Sequence, residues 1–437
     1  MDTFKGDWEK LVTIGHRETD TGFIDELRRT CESTNINFLL GAGCSMPAFG
    51  TLGNIETLWA QLKTNETKEQ IVNEHGNNAN LIEKLVEASL KASFFKTAIL
   101  PNRDYIETNT SDTKKNYESF CSAAMKLVAK REASTLPKQV TFFVSNYDIC
   151  MDVALDTNRV PTNSGYVGRF NPVVDLSNFG RRVTTSTLTL GYQSEIASAN
   201  LLKIHGCASW RKNDQTIEFS NDFELIKEIE IMIKKIKKKI DDIGLSTGLK
   251  TSEEPQHVHH TGDPLLEVCD ELTDMIAAAS KIVGGKTNNP PLHLLDKSVQ
   301  DLLDKFNDLQ IVWPTKQKFH DTVLDETYYE QLRRLTNQLE VRNSVLIVAG
   351  FSFADEHIRK LILRAADTNP TLKVIILCYD KGSEDQILGN LEKESTVDSK
   401  DIVIPNIITV TTTTKTCGIN GTLDLKTIAT LLGEVIE

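Results

Sequence analysis

Short apolar runs, mostly β-branched, recur along the chain with helical patterns between them, and this alternation constrains the fold more than any other feature. Runs that are this apolar and only a few residues long are typical of strands buried on both faces, as in a parallel sheet covered by helices. They lie at 36–40, 140–144, 201–204, 345–348, 374–377 and 407–410. The sequence therefore predicts an α/β protein with a doubly wound parallel sheet.

Two long helical tracts interrupt the predicted sheet. The first extends from about 54 to 137 and the second from about 216 to 309. Each is longer than an ordinary crossover between parallel strands, so we interpret both as helical insertions. The remaining segments, 33–53, 138–215 and 310–437, are predicted to form the core that contains the sheet.

The second tract contains isoleucines at alternating spacings of four and three residues, namely Ile229, Ile233, Ile236, Ile240 and Ile243. This spacing predicts one apolar stripe along a helix. Lysines lie between the stripe residues, at Lys234, Lys235, Lys237, Lys238 and Lys239. The Lys234–Lys239 face has two interpretations, a solvated helix surface or a basic surface for nucleic acid or an acidic protein.

The overall composition restricts the class of protein. A net charge of -12 repels phosphates and therefore argues against direct binding of nucleic acid or of an anionic membrane. The N-terminus lacks a basic-then-apolar signal layout, and no apolar stretch approaches the roughly 18 residues of a membrane span. No two of the eight cysteines have the Cys-x-x-Cys spacing of a zinc or redox site. We expect a cytoplasmic protein with no metal and no membrane contact.

The first predicted strand leads into Gly41-Ala42-Gly43-Cys44-Ser45. Glycines after a strand let the backbone turn tightly and approach a diphosphate closely, so this segment is a candidate nucleotide-binding turn. The full dinucleotide fingerprint with three spaced glycines is absent, and a purely structural turn is the alternative.

Three further predicted strands end in polar side chains. Asn146 and Asp148 follow the second strand, where an amide and a carboxylate suit a ligand site but are also typical of an Asx turn. His205 follows the third strand, and a lone histidine there is either catalytic or structural. A turn that begins at Gly350 follows the fourth strand, contains Ser352 and leads into a helix near Asp355.

Taken together, these four segments resemble the sirtuin superfamily. Sirtuins have a Gly-Ala-Gly-x-Ser loop for the dinucleotide, an Asn-x-Asp element and a His-Gly element. The segments Gly-Phe-Ser-Phe-x-Asp-x-His-Ile from Gly350 and Lys-Ile-His-Gly-Cys-Ala-Ser-Trp from Lys203 look less like protein deacylases and more like sirtuin-like NAD+ hydrolases of bacterial antiphage defence. The resemblance implies one sirtuin-like domain over 1–437, with a Rossmann-like core and two helical insertions.

The resemblance also assigns expected roles. Asn146 would orient the ribose hydroxyls and an attacking water, Asp148 would hydrogen-bond the nicotinamide carboxamide, and His205 would act as the general base. The diphosphate would be held by Gly41, Ala42, Gly43 and Ser45. The adenosine side would be contacted by Gly350, Ser352 and Asp355. The reaction implied is hydrolysis of NAD+ to ADP-ribose and nicotinamide.

Two departures from sirtuin deacylases bear on the choice of function. Deacylases have four zinc-binding cysteines after the His-Gly element, whereas only Cys207 and Cys269 occur here before position 378. The Pro-Asp-Phe-Arg run that usually follows the glycine loop is replaced by a segment that starts at Met46. An NAD-dependent protein deacylase and a non-catalytic nucleotide-sensing scaffold remain as alternatives.

A hydrolase that is always active would exhaust the NAD+ of its own cell, so we expect activation within an assembly. Relatives of this size in which the sirtuin domain fills the chain resemble those that pair with a HerA-like hexameric ATPase. The resemblance therefore implies a homo-oligomer and a HerA-like partner, with the helical insertions as the contact surfaces.

Overall fold

The chain forms two compact units in the computed structural model. The model describes residues 15–51, 55–107, 111–131, 135–186, 191, 193–213, 216–242, 271–284, 292–313, 326–392, 406–412 and 421–436. One unit, which we call the sheet unit, comprises Met1–Ala48, Ile106–Cys207 and Thr322–Glu437. The other, the helical unit, comprises Phe49–Tyr105 and Ala208–Asp321.

Strands and helices alternate along the described chain. The strands are β1 Gly15–Glu18, β2 Asn35–Leu40, β3 Gln139–Val144, β4 Thr162–Asn163, β5 Tyr166–Val167, β6 Val173–Val174, β7 Thr184–Ser186, β8 Gln193–Glu195, β9 Ser198–Lys203, β10 Gly206–Asn213, β11 Thr216–Phe219, β12 Leu309–Ile311, β13 Ser344–Ala349, β14 Leu372–Leu377 and β15 Ile407–Thr411.

The helices are α1 Thr21–Ser33, α2 Ile55–Leu62, α3 Asn65–His75, α4 Ala79–Phe94, α5 Asn102–Tyr105, α6 Asp112–Ala129, α7 Cys150–Thr157, α8 Glu224–Asp242, α9 Leu272–Gly284, α10 Leu292–Phe306, α11 Glu326–Glu340, α12 Glu356–Thr368, α13 Lys381–Glu392 and α14 Leu425–Ile436. Short 3-10 turns lie at Ala42–Ser45, Gly76–Asn78 and Leu176–Gly180, and a π-turn at Phe95–Ile99 continues α4. None of the helices in the described ranges is long and apolar enough to cross a bilayer.

The sheet unit is built on an eight-stranded sheet in the order β1-β15-β14-β13-β2-β3-β9-β4. Every neighbouring pair in this sheet is parallel. From β2 the chain proceeds outward through β3 to β9, and β13 then starts on the other side of β2. The six inner strands therefore have the order 3-2-1-4-5-6 of a Rossmann-like sheet, whose direction of growth reverses between β2 and β13.

All six apolar runs form strands of this sheet, so the predicted parallel sheet is confirmed. Side chains alternate between its two faces. On one face, Leu39 and Phe143 belong to an apolar cluster with residues of α11, α12 and α13, including Leu335 and Ile362. On the other, Phe120 of α6 packs edge-on against Phe38 with ring centroids 5.2 Å apart. Helices thus cover both faces, as a sheet with apolar side chains on both sides requires.

The boundary of the first predicted insertion differs from the observed one. We expected helical insertion over 54–137, but α6 lies in the sheet unit. Its Tyr117 and Phe120 are fully buried, because α6 is the crossover helix between β2 and β3 and carries the apolar face that covers the sheet. Residues 15–32, which lie outside the predicted core segments, supply the edge strand β1 and nearly all of the helix α1.

The helical unit contains α2 to α5 and α8 to α10, with an antiparallel hairpin of β10 and β11. The second segment of the helical unit thus begins at Ala208, within the segment 138–215 that we expected in the core, and the predicted insertion 216–309 starts with strand β11 rather than with a helix. The apolar stripe of α8 is confirmed for Ile229, Ile233, Ile236 and Ile240, all of which are buried. Ile243 lies outside the described residues. On the opposite face, Lys234 pairs with Glu230 at 2.7 Å and is exposed.

Candidate functional site

The polar residues predicted to follow four of the strands lie side by side along one edge of the sheet. Ala349 of β13 is in register with Leu40 of β2, Leu40 with Val144 of β3, and Val144 with Lys203 of β9. Because these four strands are parallel neighbours, the residues that follow them emerge at the same edge of the sheet. The structure therefore brings the turns that begin at Gly41, Ser145, Ile204 and Gly350 to one edge.

The glycine turns after β2 and β13 are in direct backbone contact. Gly41 donates its N–H to the Ala349 carbonyl at 2.9 Å, and Gly43 donates to the Gly350 carbonyl at 3.0 Å. A Cβ on Gly41 would lie 2.4 Å from the Gly350 oxygen. Gly350 has φ +62°, and a Cβ there would lie 2.5 Å from the backbone nitrogen of Cys44. Close packing of the two turns is thus sufficient to explain all three glycines.

This packing limits how the first turn could hold a diphosphate. The N–H groups of Gly41 and Gly43 already donate within the protein. Ala42 is half-buried and Gly43 is exposed, so these two residues are the accessible part of the turn. Burial raises the pKa of the Cys44 thiol to about 12, so this cysteine is not a thiolate nucleophile at neutral pH.

Ser45 is the centre of a buried hydrogen-bond network. Its Oγ lies 2.6 Å from Asp148 Oδ2, 3.0 Å from Asn146 Nδ2 and 2.9 Å from the Tyr117 hydroxyl. A serine hydroxyl has one proton, which the Asp148 carboxylate accepts, and two lone pairs. Asn146 and Tyr117 therefore donate to Ser45. Burial, followed by the charge of Asp148, raises the pKa of Tyr117 well above its usual value, so the phenol keeps its proton.

Asn146 is held by its amide nitrogen, which donates to Ser45 Oγ and also to the Gly41 carbonyl at 2.9 Å. Its Oδ1 atom is buried and accepts no hydrogen bond from any residue that the structure describes. A buried acceptor without a donor is costly, and such atoms in native proteins are often completed by water or a ligand. Asn146 is thus fixed in orientation, and its buried Oδ1 is an acceptor without a donor among the described residues.

Asp148 is almost fully buried and both of its carboxylate oxygens are already engaged. Oδ2 accepts from Ser45, and Oδ1 accepts from the backbone N–H of Cys150 at 3.0 Å. We expected this carboxylate to bind the nicotinamide carboxamide. Its observed contacts fix the positions of Ser45 and of the start of α7.

A buried lysine, for which no role was predicted, contacts the backbone of this network. Lys203 Nζ lies 2.8 Å from Asp152 Oδ2 and donates to the Asp148 carbonyl at 2.5 Å. Burial opposes the charge of Lys203, but the acidic groups around it, with Asp152 the strongest, together outweigh burial, so the pKa of Lys203 lies above its usual value. A lysine at the end of an otherwise apolar strand was the available signal in the sequence.

His205 is oriented by contacts on both ring nitrogens. The carbonyl of Ser145 lies 3.1 Å from Nδ1 and accepts its proton, which leaves Nε2 as the atom that can gain or lose a proton. Nε2 lies 3.2 Å from Asp355 Oδ2. The imidazole also stacks on the ring of Tyr147, with centroids 6.3 Å apart and planes at 28°.

The turn after β13 places Asp355 beside His205, although we expected Asp355 to contact the adenosine side of a dinucleotide. Asp355 is the N-cap of α12, and its Oδ1 accepts from the backbone N–H groups of His357 and Ile358. Ser352 is half-buried, and its Oγ accepts from the N–H of Ala354 at 3.4 Å. The edge thus unites all the predicted site residues within the sheet unit.

The comparisons with known proteins add no assignment, since no family profile matches this chain and no curated protein matches it. Within the described ranges, no three His, Cys, Asp or Glu side chains come together in an arrangement that could hold a metal ion. The interpretation of the site therefore depends on its geometry and on the sequence motifs.

Proposed function

We propose that the chain is a sirtuin-like NAD+ glycohydrolase, and that the sheet edge with Asn146 and His205 is its active site. The observation that carries the proposal is the buried Oδ1 of Asn146, which accepts from no described residue and lies at the carboxyl edge of a Rossmann-like sheet. Ligands of open α/β sheets bind at that edge, where the order of the strands reverses. The motif order of the sirtuin superfamily agrees with this position.

The residues fit a substrate that carries ribose hydroxyls. Asn146 offers a fixed acceptor to a hydroxyl group or to a water, because its Nδ2 is anchored on Ser45 and on the Gly41 carbonyl. A fixed acceptor lowers the entropic cost of orienting the attacking water. Asn146 is thus proposed to position the nucleophile and the sugar.

His205 is proposed as the general base, acting through Nε2. Its Nδ1–H is committed to the Ser145 carbonyl, so Nε2 is the nitrogen that can accept a proton from water or from a ribose hydroxyl. In the balanced reaction, water adds to C1′ of the ribose as the bond to nicotinamide breaks with both electrons. The products are ADP-ribose, neutral nicotinamide and one proton, which His205 returns to solvent.

The carboxylates near the edge suit a transition state with positive charge on the sugar. Asp148 and Asp355 both lie within the network that holds Asn146 and His205. Asp148 is proposed to act mainly through Ser45, since both of its oxygens already accept hydrogen bonds. Ala42 and Gly43, together with Gly350 and Ser352, are proposed to line the dinucleotide site. Gly41 and Ser45 are buried and are proposed to support it through their hydrogen bonds.

We propose further that activity depends on assembly. An unregulated NADase would exhaust cellular NAD+, and the resemblance is to antiphage-defence enzymes that pair with a HerA-like hexameric ATPase. The helical unit is the proposed contact surface, in a homo-oligomeric complex located in the cytoplasm.

The test is incubation of the purified full chain with NAD+, alone and with the product of the neighbouring gene, followed by chromatography of the nucleotides. We expect release of ADP-ribose and nicotinamide, abolished by Asn146→Ala and by His205→Ala and unchanged by the surface control Asn65→Ala. The proposal fails if no condition gives turnover above that of Asn146→Ala. NAD+ consumption only in the presence of an acyl-peptide would indicate a deacylase, and binding without turnover would indicate a scaffold.

A further inference from the structure

Asp355 uses one carboxylate oxygen to cap a helix, and its other oxygen lies beside His205. Capping alone does not require this second contact. Its Oδ1 caps α12 through His357 and Ile358, whereas its Oδ2 lies 3.2 Å from His205 Nε2. We propose that Asp355 is the positioning residue of His205: its carboxylate orients the ring and stabilises the positive charge that forms when Nε2 takes a proton. This inference depends on the proposed function, in which His205 is the base.

The geometry of the ring supports the pairing. Nδ1 donates to the Ser145 carbonyl, whereas Nε2 lies 3.2 Å from Asp355 Oδ2, which is an ion-pair distance without hydrogen-bond geometry. The imidazolium, with a proton on each nitrogen, keeps the bond to the carbonyl and adds a positive charge beside the carboxylate. The arrangement is therefore complementary to the state of His205 that follows proton transfer, and less so to the neutral ring that precedes it. Differential stabilisation of this kind accelerates a step, whereas equal stabilisation of both states does not.

The low exposure of the two groups increases the strength of their interaction. The side chains of His205 and Asp355 are 11% and 10% exposed, so little solvent screens the charge that forms on the ring. Opposite charges attract more strongly in such surroundings than in bulk water. Capping by Oδ1 also holds the carboxylate in place, which avoids a reorganisation cost when the charge develops.

The proton balance leaves Asp355 ionised throughout. One O–H bond of the attacking water, or of a ribose hydroxyl, breaks and an N–H bond forms at Nε2. The proton then leaves from Nε2 to solvent after nicotinamide has departed. Asp355 neither gains nor loses a proton in this sequence, and its contribution is electrostatic.

Asp355→Asn separates the two functions of the side chain. Asparagine is as good an N-cap as aspartate, so the hydrogen bonds to His357 and Ile358 are expected to remain. Its amide nitrogen, or a neutral oxygen, then faces Nε2 in place of a charged oxygen. We expect kcat to fall on the order of 10²-fold, with KM for NAD+ within about two-fold of wild type and an unchanged unfolding midpoint.

The matched control is Asp20→Asn. Asp20 caps α1 through the N–H of Phe23 at 2.7 Å, so this variant makes the same chemical change at another helix start. It is expected to leave both kcat and stability unchanged. A parallel fall of activity and stability in Asp355→Asn, with KM and kcat affected alike, would overturn the inference, because capping alone would then explain the residue.

A substrate-free measurement separates failure of this inference from failure of the proposed function. ¹⁵N-histidine NMR at one fixed pH, with the His205 signals assigned from a His205→Gln variant, reports the protonation of both ring nitrogens. We expect the Nε2 signal of His205 to move in Asp355→Asn and to stay in place in Asp20→Asn. Unchanged His205 signals would overturn the pairing. A moved signal in a chain that never consumes NAD+ would preserve the pairing and reject the hydrolase.

Discussion

The hydroxyl of Ser45 lies 2.6 Å from the Asp148 carboxylate, and this short buried contact connects two turns that are 103 residues apart in the chain. The same hydroxyl accepts from Asn146, so the position of the proposed catalytic amide depends on it. Asn146 is thus oriented by the turn after β2 rather than by its own strand. Substitution of a residue in this network is therefore expected to change the stability or the activity of the protein measurably.

Ser45→Ala is expected to destabilise the protein and to reduce NAD+ turnover. The change removes the donor to Asp148 and the acceptor of Asn146 and Tyr117, all of which are buried. Each group left without a partner costs about 1–3 kcal/mol, and we expect a net loss of about 3 kcal/mol in the free energy of unfolding by urea titration. Ser33→Ala on the exposed end of α1 is the control and is expected to show no change. Equal stability of the two variants would contradict the network.

Gly350→Ala is expected to destabilise the chain by at least about 2 kcal/mol. The residue has φ +62°, and its added Cβ would lie 2.5 Å from the Cys44 nitrogen, so the two glycine turns have to separate. The control is Gly433→Ala in α14, where a Cβ meets nothing within 4 Å. That variant is expected to stabilise by about 0.5–1 kcal/mol, because alanine favours the helix. Urea midpoints that move in the same direction for both variants would argue against the observed turn contact.

Lys203→Met is expected to lower the free energy of unfolding by about 3 kcal/mol. Removal of the ammonium leaves Asp152 as a carboxylate without its partner, and the estimate lies at the low end for such changes because Asp152 is partly exposed. Adding Asp152→Asn to this variant is expected to restore part of the loss. A double-mutant cycle measured by thermal and urea unfolding checks this coupling, and strictly additive effects would exclude it.

Glu384 is expected to make stability depend on pH below about 4.5. Burial alone would raise the pKa of Glu384, but hydrogen bonds from Lys381, Thr409 and His16 outweigh it and lower the pKa below its ordinary value of 4.5. A carboxyl group with a lowered pKa in the folded state stabilises that state above the unfolded value. This contribution is lost as pH falls through the folded pKa.

Glu384→Gln is therefore expected to be less stable than wild type by about 1–3 kcal/mol at pH 7, the range for hydrogen bonds to a charged group. The difference is expected to shrink as the pH falls below about 4.5. Unfolding midpoints measured between pH 3 and pH 7 check this. Glu66→Gln on the exposed surface of α3 should follow wild type throughout, and a pH-independent difference for Glu384→Gln would contradict the expected protonation.

The amino-acid pattern was enough to predict the six inner strands, their parallel arrangement with helices on both faces, and the apolar stripe of α8. Apolar runs and helical spacing are local patterns, and burial of each pattern admits few architectures. The sequence also predicted that polar residues such as Asn146 and His205 end neighbouring strands, because carboxyl ends of parallel strands share one edge.

The contacts between these residues, in contrast, could not be predicted from local patterns and became clear from the folded chain. Gly41 meets Gly350 because β13 lies beside β2. His205 meets Asp355 although β2 and β3 lie between β9 and β13 in the sheet, because the turn after β13 extends along the same sheet edge. Because β2 and β3 are neighbours in the sheet, α6, which connects them, packs on the face of the sheet. Its helical pattern alone resembles that of an insertion. Contacts between segments that are 100 or more residues apart depend on strand order, and strand order is set by the packing of the whole sheet rather than by any local period.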